Sequence, residues 1–104
     1  MIVPPETNSP GFTVKKVTAK AKKRTAVISW KKVKGASGYE VYRSTKKNGK
    51  YKKIKTIKKA GTVRFIDKKL KKGFAYYYKV RAYRKTAVAK VYGNDSAAKK
   101  VKIK

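Results

Sequence analysis

Side chains able to carry acid–base chemistry are few in this sequence. There is no histidine and no cysteine, and the acids number four: Glu6, Glu40, Asp67 and Asp95. General acid–base catalysis needs a positioned pair of groups with tuned pKa values, and a metal site needs clustered donor atoms. The acids are scattered, and a net charge of +28 repels cations, so we predict no enzyme activity, no metal site and no cofactor. We expect Asp67 to brace a turn and Glu40 to meet lysines across a sheet.

Binding is the other chemistry that the sequence offers, and its residues centre on the segment 76–83. In a strand, alternate side chains point to opposite faces. The even-numbered residues from Tyr76 to Ala82 would then face a core, and the odd-numbered residues from Tyr77 to Tyr83 would face solvent. Exposed tyrosines can stack on sugar rings or bases, and the cations beside them attract phosphate or carboxylate. Ordinary cross-strand packing of tyrosine against lysine is the structural alternative. The candidate binding surface consists of Tyr42, Tyr77, Lys79, Arg81 and Tyr83.

The charge balance favours diffuse attraction over sequence-specific recognition. The basic residues are 27 lysines and only 5 arginines. Lysine is a hydrated point charge, whereas arginine provides the planar fork used for bidentate recognition of phosphate or guanine. The lysines are spread over all segments, which a generally basic surface would also produce, so a dedicated polyanion site and a background effect both remain open.

The chain divides into a short tail and one domain. Residues 1–11 contain all three prolines and predict an extended linker, whereas 12–104 is a single domain of common size. No apolar run approaches the ~18 residues of a membrane span, and the first residues lack the pattern of a signal peptide. For a secreted parent protein, we expect the signal sequence to lie outside this segment.

Short segments rich in β-branched and aromatic residues predict an all-β fold of seven antiparallel strands. Asn48-Gly49 lies between two such segments and predicts a hairpin. Residues 84–91 give no clear pattern, and 92–95 predict a turn or bulge. The predicted strands are 12–20, 25–31, 39–44, 51–57, 62–66, 76–83 and 97–104.

A sharp corner is predicted at Leu70, Gly73 and Tyr76, which are spaced three residues apart. Glycine permits a positive φ in the turn, and the tyrosine can bury its ring while its hydroxyl bonds to backbone upstream. This pattern resembles the tyrosine corner of fibronectin type III domains. Further matches, in the same order as in that family, are Ser29-Trp30, 38–43, 47–51, 67–70 and 76–83.

The resemblance covers about 12–104 and implies an immunoglobulin-like β-sandwich with Trp30 and Tyr39 in its core. It is strongest to the lysine- and tyrosine-rich modules of bacterial surface proteins. It therefore implies an extracellular or cell-surface location and a non-catalytic role as a spacer or adhesion unit beside neighbouring domains. The turn between the sixth and seventh strands lacks the Asn-Gly dipeptide common in such repeats, so the shape of that loop is left open.

Three functional hypotheses follow. The first is a spacer or adhesion module that binds anionic cell-wall polymer or acidic glycan by diffuse electrostatic attraction. The second is a domain that binds nucleic acid without sequence specificity, through lysines and exposed tyrosines. The third is a protein–protein module that pairs through a sheet edge. Mutual repulsion of like charge favours a monomer at low salt.

Overall fold

Two β-sheets face each other in the computed structural model, which describes residues 8–9, 13–93 and 95–103. These residues contain no helix, and so no helix that could span a membrane. The strands are β1 (Asn8–Ser9), β2 (Thr18–Lys22), β3 (Thr25–Ser29), β4 (Gly38–Ser44), β5 (Lys52–Ile57), β6 (Arg64–Asp67), β7 (Ala75–Lys85), β8 (Lys90–Gly93) and β9 (Lys99–Lys102).

The smaller sheet has the order β2-β3-β6, and the larger sheet has the order β1-β8-β7-β4-β5. Strands β8 and β9 pair with opposite ends of the long strand β7, so together they form one interrupted strand beside it. Ser96 bridges the interruption, because its N–H donates to the Val80 carbonyl and its hydroxyl accepts from the Val80 N–H. The predicted all-β sandwich is therefore confirmed.

The strand boundaries differ from the predicted ones where tertiary contacts decide them. The first predicted strand, 12–20, begins only at Thr18, and the last, 97–104, is confined to Lys99–Lys102. Residues 92–95 were predicted as a turn or bulge, but Tyr92 and Gly93 belong to strand β8. Pairing with β7 and β1 holds these two residues extended.

The N-terminal tail is described only at Asn8 and Ser9. These two residues pair with β8 in parallel, so this strand pair differs from the antiparallel pairing that was predicted. The rest of the predicted linker, 1–7 and 10–11, lies outside the described residues, as does Phe12.

The core lies between the sheets and is built from the alternating inward residues of their strands. Ala26 and Ile28 of β3 face it as predicted, and Trp30 follows just beyond the end of that strand. The Trp30 and Tyr39 rings meet edge to face with centroids 5.3 Å apart, a favourable aromatic geometry. The Tyr39 hydroxyl donates to the Ala60 carbonyl and accepts from the Val33 N–H, which satisfies this buried polar group. Trp30 and Tyr39 therefore lie in the core, as the family resemblance implied.

The Asn48-Gly49 turn joins β4 to β5 in an antiparallel hairpin, as predicted. The loop runs from residue 45 to 51, and neither Asn48 nor Gly49 has a positive φ. The Gly49 N–H instead donates to the Lys46 carbonyl, and the Tyr51 hydroxyl donates to the Lys47 carbonyl. The hairpin is therefore a wider loop than a two-residue turn.

The predicted corner is present between β6 and β7. Gly73 has a φ of 83°, and a Cβ added there would meet no other atom, so the backbone conformation alone favours glycine. The buried Tyr76 returns its hydroxyl to the loop, where it accepts a hydrogen bond of 3.2 Å from the Lys71 N–H. Leu70 is buried beneath the loop, and its N–H donates to the Arg24 carbonyl. These contacts fix the 68–74 loop against the rest of the domain.

Replacing Tyr76 by phenylalanine tests the corner. Tyr76→Phe leaves the Lys71 N–H without its partner, and we expect a loss of about 1–3 kcal/mol in the free energy of unfolding. Urea denaturation at pH 7 measures it. Tyr77→Phe is the matched control, since the Tyr77 hydroxyl makes no hydrogen bond within the described residues. Equal midpoints for the two variants would contradict the corner's role.

Candidate functional site

The outer face of the larger sheet carries most of the predicted binding surface. Along β7, Tyr77, Lys79 and Arg81 alternate with buried inward residues, as the period of two predicted. Tyr42 of β4 stands directly opposite Lys79 in the register. Four of the five predicted residues thus keep partly accessible side chains on this face, and their role in binding stays a prediction.

Tyr83 is the exception. It was predicted to face solvent, but it is only 4% exposed. Its hydroxyl lies 3.4 Å from the Ile57 carbonyl, and its ring covers Gly38, where an added Cβ would lie 2.7 Å from the hydroxyl. The absence of a side chain at Gly38 creates the space that the ring fills. Tyr83 therefore belongs to the packed structure and offers no flat ring to a ligand.

Glu40 lies at the centre of this face and is nearly inaccessible, with 1% exposure. It was predicted to meet lysines, but its closest partners are an arginine and a tyrosine. The Arg81 Nε and the Tyr42 hydroxyl both donate to Glu40 Oε1, at 2.8 and 2.7 Å. The Lys53 Nζ lies 3.6 Å from Glu40 Oε2. One buried carboxylate thus joins three neighbouring strands.

These contacts change the proton affinity of the groups involved. Burial by itself would raise the pKa of Glu40, but the hydrogen bonds from Tyr42 and Arg81 and the charges of Arg81 and Lys53 outweigh it and lower that pKa. Burial and the hydrogen bond to Glu40 raise the pKa of Tyr42. The carboxylate is therefore ionised and the phenol neutral at pH 7, as an acceptor and a donor require.

Two tyrosines that were not predicted as site residues complete the face. The Arg81 guanidinium lies 3.8 Å from the centroid of the Tyr92 ring and 5.4 Å from that of Tyr42. Lys79 Nζ lies 4.4 Å from the centroid of Tyr51. Such cation–aromatic contacts are attractive, more so when partly desolvated. Tyr51 was predicted only as the first residue of a strand, and Tyr92 as part of a turn or bulge, so neither was assigned to this face.

The face therefore has two parts with different capacities. Arg81 and Tyr42 are engaged with Glu40 and hold the sheet together. The half-buried Tyr77, Lys79 and Tyr51 lie on the other part and remain partly open to solvent. This second part carries ring surface and cationic charge that Glu40 does not engage.

Comparison with solved structures identifies the architecture. An Fn3-like protein from Clostridium thermocellum matches with a TM-score of 0.72 and 29% identity, over 89% of this chain and 91% of that one. A human fibronectin type III domain, from the KIAA0970 protein, matches with a TM-score of 0.65 and 24% identity, over 90% and 73%. The chain has the fibronectin type III fold. No protein-family model and no curated sequence matches it.

Domains of this fold also occur inside larger proteins. A β-1,2-glucanase from Parabacteroides distasonis matches over 92% of this chain but only 12% of its own, with a TM-score of 0.67 and 24% identity. In that protein the matching region is thus a small part of a longer chain.

Two acids of this domain, Glu40 and Asp67, are directed inward, whereas Asp95 is exposed. Asp67 is buried, accepting hydrogen bonds from Arg43 Nη1 at 2.8 Å and from the Tyr78 hydroxyl at 2.7 Å. Asp67, the last residue of β6, therefore joins the smaller sheet to β4 and β7 of the larger one, and its side chain does not brace a turn as predicted. Burial and this contact with Asp67 raise the pKa of Tyr78. With Glu40 also enclosed, two acids of the described chain neutralise arginines inside the fold, and no cluster of three potential metal ligands occurs there.

Acid titration tests the Glu40 centre. Because its folded pKa lies below the ordinary 4.5, the unfolded chain takes up the proton first as the pH falls. Its contribution is fully present well above pH 4.5 and is lost as the pH falls toward the folded pKa. We therefore expect the gap in free energy of unfolding between the native chain and Glu40→Gln to narrow from about pH 6 to about pH 3.

Urea denaturation of both proteins across this pH range gives the two curves. A gap that stays constant or widens on acidification would contradict the Glu40 assignment.

Proposed function

We propose that this fibronectin type III domain is a non-catalytic module of an extracellular or cell-surface protein that adheres to anionic cell-wall polymer or acidic glycan. Support comes from the placement of charge. Glu40 and Asp67 are enclosed, while nearly all lysines of the described chain are exposed. Only Arg43, Lys53 and Arg81 lie within salt-bridge distance of a carboxylate in that part of the chain. The outward charge is therefore largely unneutralised and available to a polyanion.

The fold is compatible with such an accessory role. The match within the β-1,2-glucanase shows that a domain of this architecture can accompany a far longer chain. A spacer of this kind needs a rigid body, which the paired sheets provide. We further infer that the parent protein is bacterial and that this domain separates or supports neighbouring domains within it.

Nucleic acid is a second candidate, favoured by one observation. Tyr77, Lys79 and Tyr51 place two rings and a cation together on the partly open region of the outer face. Bases stack on such rings with little regard for sequence. Tyr77→Ala should then weaken binding to single-stranded DNA while leaving binding to a base-free wall polymer unchanged.

Salt dependence tests the proposed function. We expect the domain to be retained on immobilised wall polymer or heparin at 50 mM salt and released well below about 1 M, where screening reaches about 3 Å. Neutral dextran is the control matrix. Retention on dextran, or retention on the charged matrices undiminished at about 1 M salt, would contradict electrostatic adhesion. Loss of DNA binding in Tyr77→Ala, combined with stronger binding to DNA than to polymer, would favour the second candidate.

A further inference from the structure

A groove of about 620 Å³ lies at the corner end of the domain. It is formed where the turn after β2 meets the loop between β6 and β7. The hydrogen bond of 3.0 Å from the Leu70 N–H to the Arg24 carbonyl joins the two segments. The lining residues are Arg24, Thr25, Lys68, Lys69, Leu70, Lys71 and Lys72.

Five of these residues are cations, and all five side chains are exposed. Within the described chain, none lies within 4 Å of a carboxylate oxygen. Asp67 is adjacent in sequence to Lys68, but its carboxylate is directed inward to Arg43 and Tyr78. The groove thus concentrates positive charge that Asp67, the acid adjacent in sequence, does not neutralise.

The backbone that carries these cations is held in place before any ligand arrives. The Tyr76 hydroxyl holds the Lys71 N–H, and the Gly73 N–H donates to the Ile103 carbonyl at 2.9 Å. Buried Leu70 anchors the middle of the loop. A ligand would therefore order only the lysine side chains, which lowers the entropic cost of binding.

Concavity and composition together indicate the kind of ligand. A cleft lined by one sign of charge focuses the field and raises the local concentration of counter-ions. Four of the five cations are lysines, which act as point charges and suit oxyanions without a fixed orientation. None of the residues that line the groove is aromatic. The exposed Phe74 ring beside it has the Lys71 ammonium 5.5 Å from its centroid, so the groove itself presents cations rather than free rings for base stacking.

We propose that this groove is the principal contact for a linear polyanion whose charges recur along a flexible, base-free chain. The inference rests on the proposed adhesion and deepens it, because it assigns adhesion to one place on a domain that is basic throughout. The shared chemistry is the repeating oxyanion, whether it comes from a phosphodiester wall polymer or from an acidic glycan.

A pair of charge-matched triple variants tests the assignment. The groove variant is Lys68→Gln, Lys71→Gln and Lys72→Gln, which avoids the positive-φ residues Arg24 and Lys69. The control variant removes the same charge from exposed lysines outside the groove: Lys20→Gln, Lys55→Gln and Lys59→Gln. Urea midpoints verify that both variants are folded. The probes are poly(glycerol phosphate), heparin and single-stranded DNA.

We expect the groove variant to lose roughly tenfold in affinity for poly(glycerol phosphate) or heparin at 50 mM salt, with a salt slope shallower by about 2. The control should lose no more than about threefold, since distant exposed charges are screened. The polymer that shows the larger difference identifies the source of the oxyanions.

Equal losses in the two variants would overturn the groove assignment while leaving diffuse adhesion intact. Failure of the native domain to bind either polymer would instead overturn the proposed function itself. A groove-dependent affinity for single-stranded DNA that exceeds both polymers would overturn the choice of a base-free partner.

Discussion

Mutual repulsion among the cations is the constraint to which the rest of this structure conforms. A formal charge of +28 on 104 residues opposes compaction, because folding brings like charges closer together. The chain places its lysines at exposed positions and encloses Glu40 and Asp67 where each neutralises an arginine of the larger sheet. The same arrangement leaves Asp95 as the one exposed acid among the described residues.

Tyrosine is the second means by which cations are accommodated. Arg81 lies between Tyr42 and Tyr92, and Lys79 lies over Tyr51. Ring faces attract cations without carrying a negative charge, so they hold basic side chains close to the sheet and leave the net charge unchanged. Several tyrosines that the sequence suggests as a binding surface therefore stabilise the sheet by packing against its cations.

Local features could be predicted from the sequence, and features that join distant segments could not. The corner was predictable because Leu70, Gly73 and Tyr76 act within one loop. The alternation of β7 placed Lys79 and Arg81 on the correct face. The burial of Tyr83 depends on the space at Gly38, and the burial of Glu40 on rings and cations from other strands. The basic groove was missed because Arg24 meets the 68–72 loop only in the folded domain.

The free energy of unfolding as a function of salt tests this account most directly. If the exposed cations repel one another and lack partners, urea denaturation at pH 7 should show stability rising as sodium chloride increases from about 10 mM. The rise should level off once the Debye length falls well below about 10 Å. A free energy of unfolding that stays flat or declines over that range would mean that the surface cations are already paired. That result would contradict repulsion among unpaired cations as the organising constraint, and with it the proposed adhesion.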